Sequence, residues 1–467
     1  MRAFAGKASL DAAGFGLYPW GMHIGIIGGG FSGCLLAVQL LRRAPSGTAI
    51  TIIESGDALG RGAAYGTVNP EHLLNVRAGN MGAFPDDVQN FHAWLSASGD
   101  PSPASAFMSR MRYGEYVGHV LHTAVAAQAG RVPVSLVTGV ACALHPGVQP
   151  AVALEDGRRL VFDRIALCFG NLPPGSPPGL TDAARNSARY LHDSWKARGL
   201  EAIPAHDDVL IVGSGLTMAD VVQSLVSRKH SEKINVISRH GYVPNRHETA
   251  KPMTMERPTG GLRALFRDFR HAAQAAPSTG HDWRDVVDAF RPWTIETWRR
   301  LSTAERRRFL RHVRPLWEVH RHRLAPAVAD TLASVRESGQ LTVAAGRIVS
   351  IDWKDGVFAV AVRPRGEEGL RHLASSWLVN CTGPQGDYSQ TTNPLVRTAV
   401  EAGAIRPDPL QLGLDVSDDC AVIDAKGVVS PNIFAVGPPT RGAFWEITSV
   451  PDLRRACAQM AETLLRS

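Results

Sequence analysis

The stretch that most narrows what this chain can fold into runs from His23 to Glu54. His23 to Ile27 has the length and apolar character of a buried strand, and it leads straight into Gly28-Gly29-Gly30-Phe31-Ser32-Gly33. Cys34 to Leu41 then begins like a helix, and Ile50 to Ile53 forms a second strand ending in Glu54. In such a unit Gly28 allows the tight turn, Gly30 lets the backbone approach a pyrophosphate, and Gly33 lets helix and strand close up. The helix start, with Phe31 and Ser32, offers N–H groups and the positive end of the helix dipole to phosphate oxygens. Glu54, 21 residues after Gly33, stands where a carboxylate accepts hydrogen bonds from ribose hydroxyls. A glycine triplet alone would suit any surface loop; strand, turn, helix, strand and acid in this order predict a dinucleotide-binding half.

The pattern recurs. Asp208 to Val212 is another apolar strand, followed by Gly213-Ser214-Gly215-Leu216-Thr217-Met218 and the helical Ala219 to Leu225. The two glycines that touch phosphate are kept, while Met218 replaces the third, whose role is packing. The next strand, Ile234 to Ser238, ends in Arg239-His240 instead of an acid. A basic residue there favours the 2′-phosphate of NADP over the free hydroxyl of NAD. Gly213, Ser214, Gly215, Leu216, Thr217, Ser238 and Arg239 are therefore expected to hold NADPH, ahead of NADH. Two such folds divide the labour: one retains FAD, the other admits the nicotinamide for hydride transfer.

Length and composition agree. A chain of 467 residues exceeds one ordinary domain. An apolar fraction of 44% and a charged fraction of 20% exclude a disordered or collagen-like chain. No run approaches the roughly 18 apolar residues that cross a bilayer. The six cysteines are scattered, without C-x-x-C or zinc spacing, which argues against a disulfide framework, a thiol–disulfide active site and a metal centre. A cytoplasmic chain is the expectation. Residues 1–21 lack the apolar core of a secretory signal and form an extension of little expected function.

The segment Gly60-Arg61-Gly62 with Tyr65 follows Glu54, so Arg61 is placed to reach FAD phosphates. The loops containing Asn75 and Met81 carry apolar side chains of the kind that wrap a flavin. Ile165 to Asn171 and Trp377 to Pro384 each read as a buried strand stopped by glycine and broken by proline. Asn432 to Gly437 is a last strand, and Pro451-Asp452 begins a C-terminal helix whose N-terminus is aimed at the flavin. Thr382, Gly383, Gly437 and Asp452 are assigned to FAD. The expected layout is a first FAD-binding part over 22–200, an NAD(P)-binding domain over 201–380, and a second FAD-binding part over 381–467. The fold class is α/β, with two Rossmann-like dinucleotide-binding domains and a helical insertion at about 241–327.

These residues resemble the two-dinucleotide-binding flavoprotein superfamily, which includes flavin-containing and N-hydroxylating monooxygenases. From Met22 onward the chain more closely resembles a bacterial family of FAD/NAD(P)-binding proteins. The markers are both glycine loops, Gly60-Arg61-Gly62 with Tyr65, Leu73 to Val76, Phe84-Pro85-Asp86, Val319 to Arg323, Asn380 to Pro384, Leu412 to Asp415, and Phe444 to Ile447. The resemblance implies an NADPH-reduced flavoprotein that activates O2 and, through a (hydro)peroxyflavin, oxygenates a small molecule. A reductase without oxygen insertion and a non-catalytic flavin sensor are the alternatives. Three positions depart from the superfamily: Phe169 for the usual Thr, Met218 for a small residue, and Pro438 for the Asp that holds the ribityl chain.

The insertion is rich in tryptophan (Trp283, Trp293, Trp298, Trp317). From Arg291 to Arg323 it carries ten arginines against Glu296, Glu305 and Glu318, a balance of +7 that equals the whole chain's net charge. It reads as a lid for an acidic substrate or for steering NADPH, or as a solvated face with Arg stems over Trp. A nucleic-acid or membrane surface is the third option, and no known binding module supports it. The candidate catalytic side chains are His320, His322 and Trp445. Oligomeric state stays open.

Overall fold

The computed structural model describes residues 21–466 except 57, 129 and 196–198. The extension 1–21 thus lies, but for Gly21, outside the described residues. Two compact units emerge. The first comprises the described residues up to Gly66, then Val76–Leu172 and Gln385 onward; the second comprises Thr67–Asn75 and Pro173–Pro384.

The first unit is built on a six-stranded sheet. In spatial order its strands are Ala421–Ile423, Val429–Ala435, Arg164–Leu167, Met22–Ile27, Thr48–Glu54 and Val134–Thr138. All neighbours are parallel except the Ala421–Ile423 edge. A parallel sheet is covered on both faces, so its central strands are continuously apolar. Ile24, Ile26, Ile50 and Ile52 are accordingly buried, as are Ile165 and Ala166. Each such Ile contributes about 1.5–3 kcal/mol by leaving water. The helix Phe31–Arg43 packs against both Arg110–Ala127 and the C-terminal helix Val450–Leu465. A small antiparallel sheet, Ala141–His145, Ala151–Leu154 and Arg159–Val161, joins the same core.

The second unit has seven strands in the order Arg371–Ser375, Val357–Pro364, Leu341–Lys354, Ile234–Ser238, Val209–Val212, Trp377–Asn380, Tyr190–Leu191. Leu341–Lys354 does double duty. Its first residues pair parallel with Ile234–Ser238, and its remainder turns antiparallel against Val357–Pro364. The insertion is helical from Leu262 to Arg321, in five helices (Leu262–Ala275, Trp283–Phe290, Thr294–Arg300, Thr303–His312, Arg314–Arg321). The helix Pro326–Glu337 follows it and leads back into the sheet.

The boundaries differ from the sequence expectation. Tyr190–Leu191 pairs with Trp377–Asn380, which draws residues after Leu172 into the second unit, so that crossing falls at 172 and not at 200. The return crossing falls at 384 and not at 380. Thr67–Asn75 also joins the second unit. Asn69 Nδ2 donates to Ser224 Oγ over 3.0 Å, and His72 Nε2 bonds the same hydroxyl at 2.7 Å. Both pairings link residues more than 150 positions apart, which local patterning does not reveal.

Candidate functional site

In the first unit the strand Met22–Ile27 delivers Gly28 with φ of +105°. Its N–H donates to Ile53 O over 2.8 Å. A Cβ there would lie 2.6 Å from Cys168 O, and one on Gly33 would lie 1.8 Å from Gly28 O. Both positions therefore exclude any side chain, as strand–helix packing requires. The helix Phe31–Arg43 has no side-chain cap and no acid in its first turn, so its N-terminal field is left for an anion.

Gly60-Arg61-Gly62 lies directly on this loop. Gly60 N–H donates to Gly29 O over 2.8 Å, and Gly62 Cα is 3.4 Å from where a Gly30 Cβ would be. Arg61 is exposed beside it. Glu54 accepts from Gly29 N–H at 2.6 Å, Gly56 N–H at 3.0 Å and Ser55 Oγ at 3.1 Å, so it braces the turn as well as ending the strand. Gly437, with φ of +84°, brings the end of Val429–Ala435 onto Ser32, whose Oγ would be 2.8 Å from a Cβ there. Gly28, Gly30, Phe31, Ser32, Gly33, Glu54, Arg61 and Gly437 are thus gathered in one place.

Other expected FAD contacts are placed differently. The Tyr65 ring is buried against Tyr113 (4.7 Å between centroids) and Phe31 (6.0 Å), and burial pushes its hydroxyl up to about 12. Met81 is buried, and its carbonyl accepts from Tyr113 Oη over 2.8 Å. Asp452 accepts from Ser449 Oγ and from Arg455 over 2.7 Å. Asn75, Thr382 and Gly383 belong to the second unit. Asn75 O bonds His247 Nε2 at 2.9 Å. Thr382 and Gly383 follow Cys381, whose carbonyl would be 2.3 Å from a Cβ on Gly213.

That last contact repeats the first site's construction. Each glycine turn rests on the carbonyl of a cysteine one residue past a strand, Cys168 in one unit and Cys381 in the other. Gly213 has φ of +104° and donates to Ile237 O over 2.8 Å. Ser214 Oγ donates to Tyr242 O at 2.5 Å and lies 2.8 Å from Ser238 Oγ. A Cβ on Gly215 would meet nothing within 4 Å, and the helix Leu216–Ser227 has no side-chain cap. Leu216 and Thr217 are half-buried in its first turn, while Met218 is fully buried and fills the packing position of the absent third glycine. Arg239 is exposed at the end of Ile234–Ser238, beside His240. Glycines that must pack are packed, and Gly215, Gly170 and Gly383 face open space. Such cradles fit pyrophosphates.

Several of the insertion's aromatic residues pack against one another. Trp317, Phe269 and Phe290 meet edge to face with centroids 5.6–5.8 Å apart. Arg306 lies 5.4 Å over Trp298, and Arg284 lies 4.5 Å over Trp283. His320 donates from Nδ1 to Leu316 O over 2.8 Å and packs on Trp283 at 4.7 Å. His322 ends its helix, its N–H donating to Glu318 O at 2.8 Å. Trp445 is buried under the Arg441 guanidinium, 4.6 Å away, in the first unit. His320 and His322 belong to the second unit and Trp445 to the first.

The cysteines are free. Burial pushes the Cys34 thiol up to about 12 and raises Cys168, Cys381 and Cys457 further. A nucleophilic thiolate is thereby disfavoured at these four.

Two Rossmann halves with glycine turns of this construction define a fold with two dinucleotide-binding units. Residues 25–172 match a family model described as FAD-NAD(P)-binding. No relative matches among curated sequences. Solved structures share the fold over nearly the whole chain. The ornithine N-hydroxylase of Kutzneria sp. 744, with reduced FAD, NADP+ and L-ornithine, superposes with TM-score 0.64 at 14% identity, covering 95% of this chain and 98% of that one. L-Lysine 6-monooxygenase from Pseudomonas syringae gives 0.64 at 17%, covering 95% and 99%. The reduced ornithine hydroxylase from Pseudomonas aeruginosa gives 0.62 at 15%, covering 95% and 98%.

Proposed function

We propose that this chain is an FAD-dependent, NADPH-using monooxygenase acting on a small molecule. The observation that carries the reading is the pair of glycine cradles whose adjoining strands end in opposite charge, Glu54 in one and Arg239 in the other. Gly28, Gly30 and the N–H groups of the Phe31 helix hold the FAD pyrophosphate, with Arg61 at its phosphates and Glu54 toward the ribose. The N-terminus of Val450–Leu465 lies beyond Gly437 and Pro438 in the same unit and directs its dipole toward the flavin. Gly213, Gly215, Leu216 and Thr217 receive the NADPH pyrophosphate, with Arg239 at the 2′-phosphate. A flavin and a nicotinamide held in these cradles would together supply the two-electron chemistry that activates O2. The likeness to ornithine and lysine hydroxylases supports transfer of one oxygen atom to an amine nitrogen. The arginine-rich insertion supports an acidic group on the substrate.

The raised thiols of Cys34, Cys168, Cys381 and Cys457 speak against a disulfide reductase. Stopped-flow absorbance of the FAD-loaded protein tests the reading. NADPH should reduce the flavin faster than NADH. Mixing with oxygenated buffer should then give a blue-shifted transient, and an amine substrate should yield hydroxylamine in place of peroxide. Direct return to oxidised flavin, with peroxide as the sole product for every amine offered, would refute oxygen insertion.

A further inference from the structure

The second glycine turn is tied to a residue that no local pattern indicates. Ile234–Ser238 and Leu341–Lys354 run parallel with Ser238 opposite Ala345. Arg365 lies just past the next strand, and its N–H donates to Ala345 O over 3.0 Å. Gly241, with φ of +66°, presses the turn after Arg239 onto Ala345; a Cβ there would be 3.2 Å from Ala345 N. This brings Arg365 to His240 across 125 positions, and its Nη1 donates to His240 Nδ1. Arginine has only donors, so Nδ1 is the acceptor and the neutral ring carries its proton on Nε2. The ring stacks on Tyr242 at 5.4 Å with 12° between planes, and Tyr242 O accepts from Ser214 of the glycine turn.

We infer that Arg365 is a second cation for the 2′-phosphate of NADPH, positioned by His240 beside Arg239. This rests on the NADPH reading above. A phosphate monoester carries close to two negative charges near neutral pH and takes forked guanidinium donors. Arg239 and Arg365 both lie where the second Rossmann strand ends, the place of the adenosine ribose. Neither is in an ion pair among the described residues. The nearby Glu367 is engaged by Arg371 at 3.3 Å. His240 accepts from Arg365 without adding a third charge. Burial, then the two arginines, holds its pKa below the ordinary value. His240 is a positioning residue; Arg365 touches the ligand.

Isothermal titration of the FAD-loaded full chain with 2′,5′-ADP and with 5′-AMP tests this, because the two probes differ only in the 2′-phosphate. Wild type should prefer 2′,5′-ADP. Arg365→Gln should lose about tenfold for 2′,5′-ADP, the worth of one charge-assisted contact, with 5′-AMP unchanged. Arg365→Lys should keep part of the preference. His240→Gln, which retains an acceptor, should weaken 2′,5′-ADP less than His240→Ala. Unaltered 2′,5′-ADP affinity in Arg365→Gln, alongside a loss in Arg239→Gln, would overturn the role of Arg365 alone. A wild type that binds both probes equally, or neither, would overturn the NADPH reading itself.

Discussion

At the scale of single residues, glycines with the same sequence signature have opposite tolerances. Gly33 has no room: a methyl group would sit 1.8 Å from Gly28 O, a backbone atom that cannot swing away. Gly33→Ala should destabilise the chain by about 1–3 kcal/mol, the range for overpacking, and reduce FAD retention, read by denaturant titration and bound-flavin absorbance. Gly215 has φ of −85° and nothing within 4 Å of a Cβ. Gly215→Ala should leave the melting temperature unchanged while weakening NADP+ binding, because the methyl occupies space meant for the pyrophosphate. If both variants bind ligand and melt like wild type, the cradle assignment is wrong. The thiols make a second residue-level prediction. Cys34 donates Sγ–H to Gly29 O over 3.1 Å and is fully buried. In the native protein near pH 8 only the half-exposed Cys142 and Cys420 should react with a thiol reagent. Unfolding in denaturant should release all six.

At the scale of elements, the basic insertion is held by caps as well as by its aromatic contacts. The helix Thr303–His312 fully buries no residue of its own, though Phe309 packs edge to face on Trp298 at 5.8 Å, so its N-terminal cap carries a large share of its stability. Ser302 and Glu305 form a capping box, and Glu305 Oε1 also accepts from Leu262 N–H over 2.9 Å, at the start of a second helix. Ser302→Ala should cost about 1 kcal/mol of local stability, the usual worth of a cap. Glu305→Ala should cost more, because it frees two helix starts. Hydrogen exchange should show faster amide turnover in 262–312 for both variants, with the sheet strands unaffected. The hydrogen bonds to Leu262 and Ser302 hold the Glu305 carboxyl below its ordinary value. This contribution is therefore present above the unfolded carboxylate range and is lost as pH falls through the lowered folded value.

At the scale of the whole molecule, buried ionisable groups bracket the pH range of stability. Burial lowers the pKa of the buried His230 and of the partly buried His23 from 6.5, which favours the neutral rings in the folded chain. As pH falls below about 6.5 the unfolded chain takes up protons first, and stability declines. The Cys34 thiol moves the other way, from 9.0 up to about 12. Between those values the unfolded chain ionises first, and stability is again lost as pH rises. Melting temperatures from pH 5 to 10 should therefore peak between about 6.5 and 9. A midpoint still rising at pH 10 would contradict the buried-thiol assignment.

Both glycine turns, the strands feeding them, Glu54 and Arg239 were legible in the sequence. Each is set within one strand–turn–helix unit, where chain geometry and neighbouring residues decide the conformation. The two α/β folds and the helical insertion followed from the same short-range patterning. Residues that act across the chain were not legible. Asn75, Thr382 and Gly383 fall in the second unit because His247 and Gly213 meet them there. Tyr65 and Asp452 are turned inward by contacts with Tyr113, Ser449 and Arg455. Arg365 meets His240 only because one long strand pairs parallel on one side and antiparallel on the other. Strand register is set by non-local burial, so the sequence by itself determined the local cradles, and the tertiary structure alone decided which distant side chains stand beside them.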